Sequence, residues 1–226
     1  MTFQGANLII LVCMSAIKLF NVDKKSQQIM RTLKALHKQR GCGGCYNLKL
    51  LVESHKNNID YMKKTGVFYG SLTGVTAAIA RRIAAKLGVS DDDVHDVAKT
   101  APSVLGDYEI DILGSSTWGS GEPERDWLDF LDGADALDLK GHKIAVFGCG
   151  DETMSDTFCN AVGEIYRRMQ PTGAEFIAPF DANGYDFERS GAEVDGRFVG
   201  LVLDEVNKPE LTDGRIAAWT DIIKKY

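Results

Sequence analysis

From residue 65 onward the hydrophobic positions alternate between two patterns. Short apolar runs at 66–69, 108–113 and 143–147 are too brief for helices and predict buried strands, and the mixed stretch 93–97 reads as a short second strand. Between them apolar residues recur three and four apart. Val75, Ile79, Ile83 and Leu87, with Ala78 beside them, predict a first helix that turns one face to a sheet and stops at Gly88. Pro123 suits the first turn of a second helix carrying Trp127, Phe130 and Leu131. Ser155 would cap a third, whose face is Phe158, Ala161, Val162, Ile165 and Met169. Residues 101–106 read as a loop or weak helical turn. Residues 175–178 begin a further strand that resumes at 199–203, and Thr212 would cap a last helix with Ile216, Trp219 and Ile223 on one side. Strands alternating with helices imply right-handed crossovers and an α/β, doubly wound parallel sheet.

Three loops follow strands in this pattern. Gly70-Ser71-Leu72-Thr73-Gly74-Val75-Thr76 joins the first strand to the first helix. Amides at a helix start lack acceptors and the helix dipole adds positive potential, so this junction suits an anion. Ser71, Thr73 and Thr76 add hydroxyls, Gly70 and Gly74 let the backbone approach, and the loop holds no Lys or Arg. It is neither GxxxxGK[ST] nor GxGxxG. Such a loop fits one terminal phosphate monoester, although hydroxyl and glycine residues also build ordinary turns and caps. The second loop, 114–122, sets Trp118 among glycines and hydroxyl residues, where an indole stacks on a planar ligand or meets a partner protein. The third is Gly148-Cys149-Gly150-Asp151. In an open parallel sheet all three share the carboxyl-terminal edge, where ligands bind.

These residues resemble those of the flavodoxins. The likeness spans 62–226 and runs in order through SLTGVT, SSTWGSGE, FGCGDE, GYDFERS, FVGLVLDE and LTDGRIAAW. Residues 181–200 look like the insertion of the long-chain subgroup. The resemblance implies a flavodoxin-like fold: a five-stranded parallel sheet in the order 2-1-3-4-5, helices on both faces and the insertion within strand 5. It also implies non-covalently bound FMN. Ser71, Leu72, Thr73, Gly74, Val75 and Thr76 would hold the phosphate. Thr117, Trp118 and Gly119 would cover one ring face with Ser116 and Ser120 alongside, and Cys149, Gly150 and Asp151 would give backbone contacts to the pyrimidine edge. In the family a peptide carbonyl turns to meet the proton on N5, and the matching bond is Gly119–Ser120. One departure stands out. Most long-chain members stack a tyrosine on the outer ring face, whereas here the third loop is one residue shorter and Met154 is nearest. A thioether against an aromatic ring contributes about 0.3–1.5 kcal/mol.

Composition changes the picture mainly at the amino terminus. With 44% hydrophobic and 26% charged residues the 226-residue chain is ordinary globular material. Its charge is uneven: residues 1–61 carry +6 and residues 62–226 carry −12, which together give the net −6. The apolar run 8–20, broken by Lys18, falls short of the roughly 20 residues needed to span a bilayer. It has no positive residue before it and no small-residue cleavage site after it. Cys42 and Cys45 form a CxxC without two further metal ligands at suitable spacing, and Cys13 is isolated. The expectation is a poorly structured extension over 1–61, reflecting the choice of start codon, and a folded domain over 62–226.

The reading that follows is a cytoplasmic, monomeric carrier of single electrons, with no catalytic residues, metal, nucleic acid or membrane. An acidic rim, from 91–93 and 126–138, would steer basic redox partners, namely flavin or iron–sulfur oxidoreductases. Reduced flavin carries negative charge near N1, which an acidic, cation-poor site disfavours, and this lowers the second one-electron potential. The rival readings are a flavodoxin-like NAD(P)H:quinone oxidoreductase and a binding module without flavin.

Overall fold

The computed structural model describes residues 65–226 other than Ser155. Expectations for residues 1–61, including the CxxC, and for the Ser155 cap lie outside the described residues. At the centre is β1 (Thr65–Gly70), hydrogen-bonded in parallel to β2 (Val94–Asp96) on one side and β3 (Ile110–Trp118) on the other. Beyond β3 comes β5 (Lys143–Cys149), then β10 (Leu201–Leu203), so the order β2-β1-β3-β5-β10 is the expected 2-1-3-4-5. A short β6 (Glu175–Phe176) also pairs with β5, so the fifth position is filled by two segments with the insertion between them.

Neighbouring residues of each strand enter opposite cores. Val67, Ile112 and Phe147 pack with α1 (Val75–Leu87) and α4 (Pro209–Ile223), through Ile79, Ile83, Ile216 and Trp219. Phe68, Leu113 and Val146 pack with α2 (Asp126–Ala134) and α3 (Asn160–Met169), through Trp127, Leu131, Val162 and Ile165. Side chains alternate across a strand. With both faces covered, every position must be apolar, which is why these strands read as continuous runs. Asp111 breaks that rule. It is fully buried in β3, neither carboxylate oxygen has a hydrogen-bond partner, and burial pushes its pKa up to about 8.

Several local expectations are corrected. Strand 3 runs on past residue 113 to Trp118 because β4 (Glu122–Pro123) folds back antiparallel on Thr117 and Trp118. Pro123 therefore lies buried in β4, and α2 starts only at Asp126. The weak helical turn expected over 101–106 is present, as a 3-10 helix over Pro102–Asp107. The third helix begins at Asn160, after Cys159 at φ 50°, with no side-chain cap. Pro209 rather than Thr212 opens α4; Thr212 is buried in its first turn and its hydroxyl donates to the Glu205 carboxylate. The insertion carries a small antiparallel sheet of its own, β7 (Phe180–Asp181), β9 (Arg197–Phe198) and β8 (Glu193–Val194). It docks through Tyr185, Phe187 and Phe198 onto Phe158, with ring centroids 5.7–6.2 Å apart.

Candidate functional site

The parallel register brings the three loops to one edge. Gly70 pairs with Ser115, Ser115 with Gly148, Ser116 with Cys149, and Cys149 with Leu203. What leaves the carboxyl ends of these strands is therefore contiguous in space.

In the first loop, Gly74 sits at φ 88° and its amide donates to Ser71 Oγ at 3.1 Å. The amides of Leu72, Thr73, Val75 and Thr76 have no acceptor among the described residues. No acidic side chain occupies the first turn of α1. Thr76 Oγ1 is buried and also lacks a partner. Five donors without acceptors, four of them at or just before a helix start, are a donor set for a dianion. A Cβ at Gly74 would meet nothing within 4 Å, so the loop is open on that side. Gly70 serves packing instead: a Cβ there would lie 2.6 Å from the Trp127 ring.

The second loop is braced. Ser115 Oγ accepts the Glu124 amide at 2.9 Å and donates to the Ser116 carbonyl at 2.9 Å. Trp127 Nε1 donates to the Gly114 carbonyl at 2.9 Å. Thr117 Oγ1 accepts the Ala161 amide at 3.3 Å, tying the loop to the start of α3. Trp118 stays 40% exposed, and its Nε1 donates to Ser116 Oγ at 2.7 Å, which sets the plane of the indole. The turn closes through the Gly121 amide on the Trp118 carbonyl at 2.9 Å, with Gly119 at φ 53° and Gly121 at φ 116°. Within it the Ser120 amide donates to the Glu122 carboxylate at 2.7 Å.

The third loop is pinned from outside. The Gly150 amide is committed to the Leu203 carbonyl at 2.9 Å, so Gly150 can offer a ligand only its carbonyl. Thr153 hydrogen bonds hold the Asp151 carboxyl below its ordinary pKa, and Asn207 Nδ2 donates to it at 2.8 Å. Cys149 is buried and desolvation pushes its thiol up to about 12, so it is a neutral packing group. Met154 is 54% exposed.

Sequence reasoning missed the group that anchors this loop. Glu152, next to Asp151, is almost wholly buried. Its carboxylate pairs with Lys208 at 2.5 Å and Arg215 at 3.6 Å, and it accepts the Asp186 amide of the insertion at 2.9 Å. Arg215 also lies over the Tyr185 ring at 3.6 Å. The Glu152 amide in turn donates to Asp204 at 3.0 Å. Burial raises the Asp204 pKa, but bonds from Asn207, Glu152 and Val206 outweigh it and hold the carboxyl below its ordinary value. Only a buried-charge pattern across residues more than 50 apart would have revealed the cluster.

Among the described residues no group of three or more His, Cys, Asp or Glu could hold a metal ion, and no helix is long and apolar enough to cross a membrane. Set against known proteins, residues 67–219 match the flavodoxin family profile. The chain is 42% identical over 166 residues to Flavodoxin 1 of Escherichia coli K12, covering 73% of this chain and 94% of that protein. It is 39% identical over 165 residues to a flavodoxin of Synechococcus elongatus, covering 72% and 97%. A crystal structure of Fusobacterium nucleatum flavodoxin bound to flavin mononucleotide superposes with a TM-score of 0.67 at 30% identity, covering 72% of this chain and 98% of that one.

Proposed function

The chain belongs to the flavodoxin family and carries electrons through FMN; from that premise we propose that the three aligned loops are the cofactor site. When bound, FMN supplies a ring that takes up and releases electrons one at a time. The observation that supports the placement is the meeting, on one sheet edge, of a partnerless donor set with a braced but exposed indole.

The unpaired amides of Leu72, Thr73, Val75 and Thr76 and the hydroxyls of Ser71, Thr73 and Thr76 hold the phosphate. Charge-assisted hydrogen bonds of this kind are about twice as strong as neutral ones. Trp118, its plane set beforehand by Ser116, covers one ring face at little entropic cost, with Thr117, Gly119 and Ser120 along its edge. Carbonyls of Cys149 and Gly150, with the Asp151 backbone, face the pyrimidine side. The Gly119 carbonyl is the acceptor for a proton on N5, and glycine lets that peptide turn with little steric resistance. Near the third loop Lys208 and Arg215 both pair with Glu152, so neither offsets negative charge at N1. This chain's own residues thereby separate the two one-electron potentials.

The protein works as a cytoplasmic monomer. Exposed Glu122, Asp126 and Asp129 stand beside the tryptophan loop and give basic flavin or iron–sulfur oxidoreductases a complementary docking rim. Potentiometric titration of the full chain loaded with FMN tests the reading. Two resolved one-electron midpoints are expected; a single two-electron midpoint, together with NAD(P)H oxidation by the pure protein, would replace the carrier by a reductase.

Met154 gives a narrower test. Placed at an exposed loop position where a ring could lie over the flavin, Met154→Tyr is expected to tighten FMN binding roughly three- to tenfold, as aromatic pairs contribute about 0.5–1.5 kcal/mol. Fluorescence titration of the apoprotein reads this directly, and an unchanged or weaker Kd would remove Met154 from the site.

A further inference from the structure

A cluster of ionisable side chains lies outside the three loops, and a column of aromatic rings leads to it. Tyr108, just before β3, is buried with its ring over Gly66 of β1, where a Cβ would come within 2.7 Å of it. Its hydroxyl donates to Asp93 Oδ1 at 3.0 Å and meets His95 Nε2 at 2.6 Å. A phenol has one proton to give. With that proton on Asp93, the second contact is closed by the Nε2–H of His95. From Tyr108 the rings run on through Phe68, with centroids 5.8 Å apart, then Phe130 at 6.1 Å and Trp127 at 5.3 Å, all buried. Trp127 backs onto the carboxyl-terminal sheet edge. Its ring lies 2.6 Å from where a Cβ on Gly70 would be, and its Nε1–H donates to the Gly114 carbonyl at 2.9 Å.

We infer that Tyr108 is a redox-active tyrosine, the end point to which an oxidising equivalent formed at Trp127 is discharged, with Asp93 as the proton acceptor. The two ends of the column differ in what their protons face. A peptide carbonyl is not a base, so Trp127 keeps its proton when it loses an electron and stays a strong oxidant. The Tyr108 hydroxyl already points its proton at a carboxylate. The reaction starts when a one-electron oxidant, such as an oxygen-derived radical, takes one electron from the Trp127 indole and leaves a radical cation. Tyr108 then gives one electron to Trp127, restoring the neutral indole, while its hydroxyl proton moves along the existing hydrogen bond to Asp93. The products are a phenoxyl radical, a carboxylic acid and the reduced oxidant. The His95 N–H stays on the phenoxyl oxygen throughout. Phe130 and Phe68 are not oxidised; they fill the interval with closely packed atoms through which the electron tunnels. Asp93 is only half-buried, so its proton has a way out to solvent. The path draws oxidative damage away from the sheet edge in a protein whose work is electron transfer, and it does not depend on where FMN binds.

The test uses the full chain without FMN. A laser pulse ejects electrons from its indoles, and the indole-radical and phenoxyl absorptions are then followed in time. In the parent, phenoxyl is expected to grow in as the indole radical decays, and more slowly in deuterium oxide. Trp127→Phe and Tyr108→Phe should each abolish that growth, and Tyr108→Phe should also prolong the indole radical. Trp219→Phe, in the other core, should leave the growth in place. Asp93→Asn still accepts a hydrogen bond but cannot take the proton, so it should slow the growth about tenfold, equivalent to about 1.4 kcal/mol on the barrier. A hydroxyl that only held the fold together would give none of these changes. The assignment is overturned by a parent in which no phenoxyl follows the indole decay, by growth that survives Tyr108→Phe or Trp127→Phe, or by an Asp93→Asn rate equal to the parent's.

Discussion

Asp111→Asn will flatten the dependence of folding stability on pH between about pH 4 and pH 8, and at pH 8 the variant will be the more stable protein. Asp111 lies within β3 with no exposed surface and no partner for either oxygen. Desolvation penalises the charged form, so the folded pKa is raised from 3.8 to about 8. The sign follows from proton counting. Between those two values the folded protein holds a proton that the unfolded chain has released, so stability falls as pH rises through this window and levels off above it. The slope is about 1.4 kcal/mol per pH unit, amounting to on the order of 4 kcal/mol by pH 7. Asparagine has nearly the same shape and no charge to lose. Urea unfolding of the parent and the variant at pH 5, 6, 7 and 8 checks it, and parallel slopes would show that Asp111 does not titrate in this range.

The second large effect is expected from Glu152→Ala, which should cost about 3–5 kcal/mol of stability. The substitution leaves Arg215, with only 11% of its side chain exposed, and Lys208 without their common anion, and it removes the acceptor of the Asp186 amide. Breaking such a group from one side is more damaging than replacing it whole. Accordingly, adding Arg215→Leu to Glu152→Ala should recover part of the loss rather than add to it, and strict additivity would show that the two residues are not coupled. The loop 149–151 is held by the same cluster, so FMN affinity should fall alongside stability.

Much of this molecule was legible in the chain. The two hydrophobic periods located the principal strands and helices, and the first loop was recognisable as a donor-rich turn because its amides, hydroxyls and glycines are contiguous in sequence. Failures occurred where a local signal had two meanings. Pro123 is as good at the start of a helix as in a short edge strand, and the decision went to β4 because the chain folds back on Trp118. Thr212 looks like a cap by type, yet Pro209 opens the helix and the hydroxyl serves Glu205 instead. Asp111 was passed over because an acidic residue inside an apolar run carries no mark of whether its charge is buried.

By itself, then, the sequence determined the class of fold and the residue types of the three loops proposed to hold the cofactor, which depend on neighbours a few positions apart, and its likeness to flavodoxins supplied the strand order. Only the tertiary structure decided which donors are left without acceptors, that Glu122 reaches back to the Ser120 amide, and that Glu152 gathers Lys208, Arg215 and the insertion around the third loop. Partnership and burial are properties of three-dimensional proximity. Residues 56 positions apart acquire them only once the sheet register has brought their loops to the same edge.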